Sequence, residues 1–466
     1  VELEKIVDRF QDSLIQSTQD LIRIKSVQGN PEPGMPFGRG PYLALMYVLA
    51  LADRFGFTTK NVDGYAGHAE YGHGKETVGV LVHVDVVPGG EDWIFPAFAG
   101  EIHDGRIYGR GAVDDKGPAV AALYALKAIK ESGIKSSKKI RIVFGTDEET
   151  SFAGMKYYLS KEPAFDIGFT PDGNFPVING EKGILVLKLK KQFARPMSGN
   201  IKIKSIKGGE AVNQVPDLCT AVLEVVAGQE VLINERVEEF NKKFGNCLKS
   251  EQNGKEIVFV MKGESSHASM PEDGINAISL LMLFLNELGV IRDDLGDFIR
   301  IYHEKIGLEH HGESICCGFR DALSGKLTLN VGIIDCNTQG VAVTVDIRYP
   351  ITTKVDQVRD GIWHALEGTG ITVEQTDHDP PIYFPEEHFL VRKLLHAYAE
   401  ATNDHQSGPM IIGGGTYARA AKNMIAFGPV FPGEKELAHQ KNEFISIDNL
   451  VKITKIYAAS LWELAK

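Results

Sequence analysis

Five short stretches of the chain carry side chains able to hold a metal ion: His83-Val84-Asp85, Asp114-Asp115-Lys116-Gly117, Asp147-Glu148-Glu149, Pro171-Asp172-Gly173 and Ala438-His439-Gln440. They offer two imidazoles, several carboxylates and one spare carboxylate beside a ligand. That inventory suits two divalent ions sharing a bridging carboxylate, with a free acid as general base. Each stretch alone has a plainer reading. His83 could be a strand-corner histidine; as a metal ligand it would donate its second ring N–H to the catalytic candidate Asp85, if the turn folds that carboxylate back, and so fix the tautomer. Asp114 and Asp115 could cap a helix, and either could bridge by spacing. Glu148 and Glu149 could be a solvated acidic loop, Asp172 an acidic turn and His439 a surface histidine. The conjunction argues for a site, because four of the stretches follow an apolar strand.

The elements that must position these groups are legible in the periodicity. Residues 78–82 are short, apolar and β-branched, and 140–144 and 166–170 are similar. Apolar spacing through Ala119, Val120, Leu123, Leu126 and Ile129 predicts a helix starting just after Asp114. Alternating strands and helices predict an α/β fold, with a mostly parallel mixed sheet covered by helices. Sites in such sheets gather at the carboxyl ends of strands, where His83, Glu148, Glu149 and Asp172 fall.

Between about 183 and 381 the pattern changes. Strand-like 219–227, helix-like 231–244 and strand-like 256–261 recur as 341–349, 355–366 and 371–375, which predicts an α+β insertion of two related, ferredoxin-like halves. After it come a helix over Phe389–Thr402, a strand over 423–428, His439 a loop beyond, and a closing amphipathic helix over Ile447–Ala465. His439 must join the first part, so 1–182 with 382–466 is expected to form one catalytic domain, and 183–381 an inserted one.

Bulk properties bound the function. A chain of 466 residues is too long for one ordinary core. Hydrophobic content of 43% with 24% charged residues is globular. A formal charge of −12 argues against a nucleic-acid partner. The five cysteines are odd in number and lack C-x-x-C spacing, which predicts free thiols in a reducing cytosol. The acids Glu2, Glu4 and Asp8 are unlike a signal peptide. The apolar runs 43–52 and 278–285 are too short for a bilayer, so no membrane partner and a cytoplasmic location are expected.

The motifs also carry a resemblance. His-Val-Asp-Val-Val-Pro at 83–88, Tyr-Gly-Arg-Gly-Ala-Val-Asp-Asp-Lys-Gly-Pro at 108–118, Gly-Thr-Asp-Glu-Glu at 145–149, Thr-Pro-Asp-Gly at 170–173 and Gly-Glu-Lys-Gly at 180–183 resemble the aminoacylase, acetylornithine deacetylase and carboxypeptidase G superfamily of dinuclear metallohydrolases. The match runs over nearly the whole chain, and the nearest look-alike is the peptidase V (PepV) group of dipeptidases. That resemblance implies Asp114 as metal bridge, Glu148 as general base and Glu149 as ligand. One ion would have His83, Asp114 and Asp172; the other Asp114, Glu149 and His439. The implied cofactors are two divalent ions, zinc first, with manganese or cobalt open. The implied reaction is hydrolysis of unblocked dipeptides by a metal-bridging hydroxide.

Further marks fall in the insertion, which by resemblance is a lid. Ser-Ser-His-Ala-Ser-Met-Pro-Glu-Asp-Gly-Ile-Asn-Ala at 265–277 resembles the segment whose histidine, here His267, reaches the active site. Asn213 in Val-Asn-Gln-Val-Pro-Asp and Arg348 in Asp-Ile-Arg-Tyr-Pro resemble substrate-contacting residues. The run Gly413-Gly414-Gly415-Thr416 precedes a predicted helix and lacks the lysine of a nucleotide loop; its N–H groups could hold a substrate carboxylate at the helix N-terminus. An insertion of about 200 residues is roughly twice a single lid. Its second half could stand in for a partner's lid, which predicts a monomer acting on a small peptide. The alternatives are an N-acyl amino acid deacylase or tripeptidase of the same superfamily, and a non-catalytic metal- or peptide-binding protein. A dehydrogenase reading lacks a glycine fingerprint after the first strand.

Overall fold

The computed structural model describes residues 2–195, 201–226, 228–289 and 293–466. Two compact units divide the chain. Val1–Gly180, Phe384–Met410 and Gly415–Lys466 form the first; Glu181–Tyr383 and Ile411–Gly414 form the second.

The first unit is built on the strand Thr77–His83, buried at every position. A strand covered on both faces needs an unbroken apolar run, and Thr-Val-Gly-Val-Leu-Val-His supplies one. It lies parallel to Lys139–Gly145 on one side and to Ile167–Thr170 on the other, with Met424–Ala426 parallel beyond. Antiparallel strands flank this centre: Ala66–Tyr71 and Thr58–Val62 on one edge, Ile178–Glu181 on the other. The sheet is therefore mixed, with a parallel middle. The helix Lys116–Glu131 is almost wholly buried, and Ile447–Ala465 packs beside it. The strand expected over 423–428 is only three residues long. Asn423 and Gly428 both take positive φ, and those turns bound it.

The second unit is built on an eight-stranded antiparallel sheet, with a small two-stranded sheet, Arg320–Asp321 and Gly325–Lys326, besides. The order of the large sheet is Leu248–Asn253, Glu256–Lys262, Leu218–Val225, Ile201–Gly208, Thr328–Cys336, Gly340–Tyr349, Gly183–Gln192 and Thr372–Asp379. The set Leu218–Val225, Glu230–Phe244, Leu248–Asn253 recurs as Gly340–Tyr349, Val355–Leu366, Thr372–Asp379; the third element of the first half is thus Leu248–Asn253, which the periodicity did not show, and the expected strand 256–261 is the next one, Glu256–Lys262. The halves are fused rather than separate, because Ile201–Gly208 pairs with Thr328–Cys336. The strand expected over 219–227 ends at Val225, and residue 227 lies outside the described residues. Among the described residues no helix is long and apolar enough to cross a membrane.

Candidate metal centre

The carboxyl ends of the parallel strands bring His83, Asp85, Asp114, Glu148, Glu149, Asp172 and His439 into one part of the first unit. His83 closes its strand, fully buried. Its Nε2 lies 3.0 Å from Asp114 Oδ1. The other oxygen of Asp114 lies 3.1 Å from His439 Nε2, and Glu149 Oε2 is 2.9 Å from the same nitrogen. Ligand atoms of His83, Asp114 and Glu149 lie within 4.8 Å of one another, as do those of His83, Glu148 and Asp172.

The structure separates the two adjacent aspartates. Asp114 faces both imidazoles. Asp115 turns away and accepts the backbone N–H of His83 at 3.1 Å. Neither caps the helix that follows, since the N-cap position Asp115 makes no side-chain cap bond. Gly117 allows the tight loop: a Cβ there would stand 2.2 Å from the carbonyl oxygen of Ala112.

Asp85 departs from expectation. The His83 Nδ1 partner is the main-chain oxygen of Asp85 at 3.0 Å, while its carboxylate is 3.6 Å away. That carboxylate instead accepts the backbone N–H groups of Glu148 and Glu149, at 3.2 and 3.1 Å. Those two amides open the turn after strand Lys139–Gly145 and have no strand partner, so they capture the nearest carboxylate. Asp147, first of the three acids, is also structural. It accepts from Ser151 and Thr150 hydroxyls and from the Ala153 N–H, which folds the turn.

Two residues outside the expected set tie the site together. Glu443, fully buried, accepts the N–H groups of Gly111, Val113 and Asp114 and the Arg110 guanidinium at 2.8 Å. Arg110 in turn donates to the carbonyls of His439 and Gln440. One buried ion pair thus fastens the loop of Asp114 to the loop of His439. Arg110 sits inside a quoted motif, but Glu443 carries no local sequence signal.

The electrostatics favour a cation. Burial pushes Glu148 well above the usual carboxylate range, and Asp172 and Glu149 add to the rise, partly offset by His83. Burial and the Asp114 charge raise Asp172 to about 7. Burial would depress His439, yet hydrogen bonds to Asp114 and Glu149 lift it to about 11. Burial would likewise depress His83, but the hydrogen bond to Asp114 and the nearby Asp85 carboxylate outweigh it and raise the ring well above its ordinary value. Burial works to raise Asp114, while His439 and His83 hold it far below the usual range. So many acids packed together need positive charge, which the imidazoles supply only if protonated. Divalent ions would supply it with the imidazoles neutral and ligating. Glu149 Oε1 is buried without a hydrogen-bond partner, a donor atom suited to such an ion. The residues present fit a divalent metal site.

The remaining candidates divide between the two units. Asn213, His267, Arg348 and Gly414 belong to the second unit, Gly415 and Thr416 to the first. Within the second unit Ala268 N–H donates to the Asn213 carbonyl, and Arg348 donates to the Gly413 carbonyl and, bidentately, to buried Asp346. His267 is exposed, and its Nδ1 accepts the backbone N–H of Ser269 at 3.2 Å, so the proton of the neutral ring sits on Nε2. The helix expected after Thr416 is a four-residue 3-10 turn, Tyr417–Ala420, capped by the Thr416 hydroxyl. One turn sums too few peptide dipoles to act as a helix terminus, so that part of the expectation is withdrawn.

A sequence model of peptidase family M20/M25/M40 matches residues 79–463. The chain is 39% identical over 468 residues to the "Putative dipeptidase YtjP" of Bacillus subtilis (strain 168), covering 99% of each chain. It is 32% identical to a "Putative dipeptidase" of Staphylococcus epidermidis over 473 residues, covering 99% of this chain and 98% of that one. Among solved structures, human carnosine dipeptidase 1 has the same fold, with a TM-score of 0.61 at 17% identity, covering 100% of this chain and 99% of that chain.

Proposed function

Given that the chain belongs to peptidase family M20/M25/M40 and is a peptidase, we propose that it hydrolyses unblocked dipeptides with the help of two divalent ions, zinc first among zinc, manganese and cobalt. The observation that carries this reading is the position of Asp114, whose two oxygens face two different imidazoles at 3.0 and 3.1 Å. A carboxylate so placed is disposed to bridge two cations. His83, Asp114 and Asp172 would hold one ion, and Asp114, Glu149 and His439 the other.

When bound, such ions supply Lewis acidity and lower the pKa of a nearby water. Glu148 takes the proton of the attacking water and delivers it to the leaving nitrogen. A buried carboxyl raised well above the usual range is suited to both transfers. Asp85 holds the backbone of Glu148 in place. The Nε2–H of His267 donates to the carbonyl oxygen as its charge grows, a contribution of about 3–4 kcal/mol. Asn213, Arg348 and the main-chain N–H groups of Gly414, Gly415 and Thr416 receive the peptide's carboxylate, and so limit substrates to dipeptides. The doubled second unit supports a self-sufficient monomer, and the five free cysteines fit a reducing cytoplasm. An obligate dimer in a solution mass measurement would overturn the monomer.

The test uses metal-stripped protein resupplied with zinc or manganese. An unblocked dipeptide is offered beside its N-acetylated form and a tripeptide. Metal-restored cleavage of the free dipeptide alone is expected. Cleavage of only the acylated compound would make the protein a deacylase, and preference for the tripeptide a tripeptidase. Glu148→Gln should keep its metal and lose on the order of 10²–10⁴-fold in turnover.

A further inference from the structure

We infer that Asn330 is a positioning residue for substrate binding, acting from the second half of the second unit on the loop that carries Asn213 and, through it, on the loop that carries His267. The inference rests on the reading that Asn213 and His267 engage the substrate.

The argument starts from the backbone of residues 209–217, which connect the strands Ile201–Gly208 and Leu218–Val225. A connecting loop has no ladder, so its carbonyls find partners elsewhere or in water. Three consecutive carbonyls find one. Those of Val212 and Gln214 both accept from the side-chain amide of Asn330, at 3.3 and 2.8 Å. The carbonyl of Asn213, between them, accepts the N–H of Ala268 at 2.9 Å. Val215 N–H donates to Ser266 at 2.8 Å. The Asn213 loop is therefore gripped on one side by Asn330 and on the other by the residues flanking His267.

Asn330 is spent on this task. It is 1% exposed. Both hydrogens of its Nδ2 go to the loop, and its Oδ1 accepts from Asn276 Nδ2 at 3.2 Å. Asn276 also donates to Val331 and accepts the Ser279 N–H, capping the helix Ala277–Leu288. The loop lies directly on the strand that bears Asn330: a Cβ on Gly332 would stand 2.5 Å from Val212 O, so only glycine admits this approach. Thr328–Cys336 belongs to the second half of the sheet, whereas the Asn213 and His267 loops belong to the first. Leu or Val at 330 could make none of these bonds; a side chain with two donors at this point is explained by the loop it holds.

The experiment compares Asn330→Ala and the isosteric Asn330→Asp, which keeps volume but loses the donors, with Asn213→Ala and His267→Ala. Each is assayed as metal-loaded full chain on an unblocked dipeptide, and followed by backbone hydrogen exchange. Displacement of a substrate-aligning group is expected to cost on the order of 10²-fold in kcat/KM. Metal content should stay near wild type in both variants; Asn330→Asp, which sets a carboxyl group against two carbonyl oxygens, should lower the thermal midpoint more than Asn330→Ala, and in Asn330→Ala exchange should quicken at 212–215 and 266–268 alone. Asn330→Ala added to the double variant Asn213→Ala/His267→Ala should cost no further activity. Multiplying losses, exchange quickened throughout the sheet, or wild-type kinetics in Asn330→Asp would each overturn the inference. Silence of Asn213→Ala and His267→Ala would identify the parent reading as the one that failed, and would reduce Asn330 to a structural residue.

Discussion

The carboxylate of Asp85 accepts the backbone N–H of Glu148 at 3.2 Å, and its second oxygen accepts that of Glu149 at 3.1 Å. The same residue's main-chain oxygen meets His83 Nδ1. Asp85 therefore references a metal-ligand candidate and the base candidate to one point of the backbone.

Asp85→Asn tests that link. The amide keeps one acceptor but turns an NH₂ toward a backbone donor. Charge-assisted bonds of this kind contribute about 1.5–3 kcal/mol each, so turnover should fall roughly 10–100-fold. Metal content by elemental analysis should be retained. Unchanged turnover would leave Asp85 a packing residue.

Glu443→Gln removes one partner of the buried pair with Arg110. An uncompensated buried charge costs on the order of 3–5 kcal/mol, and loss of support beneath a ligand typically weakens metal binding by about 10–100-fold. A chelator competition should register the weaker affinity, and a thermal scan the lower midpoint. Wild-type affinity would detach the pair from the metal site.

His267→Ala should lower kcat by on the order of 10²-fold, the usual effect of losing one oxyanion donor. Metal occupancy should not change. If metal is lost in step with activity, the histidine is a ligand or a structural residue instead.

A pH effect on stability follows from His68, far from these ligands in sequence and hydrogen-bonded to Tyr158. Burial, helped by the Arg141 charge, lowers its pKa from 6.5 to about 4. The folded state then holds this ring neutral where the unfolded state protonates it. Its contribution is full above pH 6.5 and is lost as the pH falls to about 4, by up to roughly 3 kcal/mol. Urea unfolding of His68→Gln should show a shallower loss across that window than wild type. Parallel pH profiles would contradict it.

The sequence by itself determined the chemistry available and most of its scaffolding. A run such as Thr77–His83 has one physical outcome, a strand buried on both faces, and the residue types at its end are fixed by the chain. Periodicity likewise placed the helices Val355–Leu366, Phe389–Thr402 and Ile447–Ala465 at the bounds found in the structure. The tertiary structure decided which groups meet. Asp114 and Asp115 are equivalent by spacing, and only the path of the 111–117 loop turns one toward both imidazoles. The Asp85 carboxylate was expected at the ring of His83; the residue's main-chain oxygen takes that place, and the carboxylate accepts the unpaired amides of a neighbouring turn. Glu443 and Asn330 gave no local signal, because their partners, backbone groups and the side chains of Arg110 and Asn276, are hundreds or scores of residues away. Hydrogen-bond demand of that kind arises only when distant loops are folded against one another, and no window of sequence contains it.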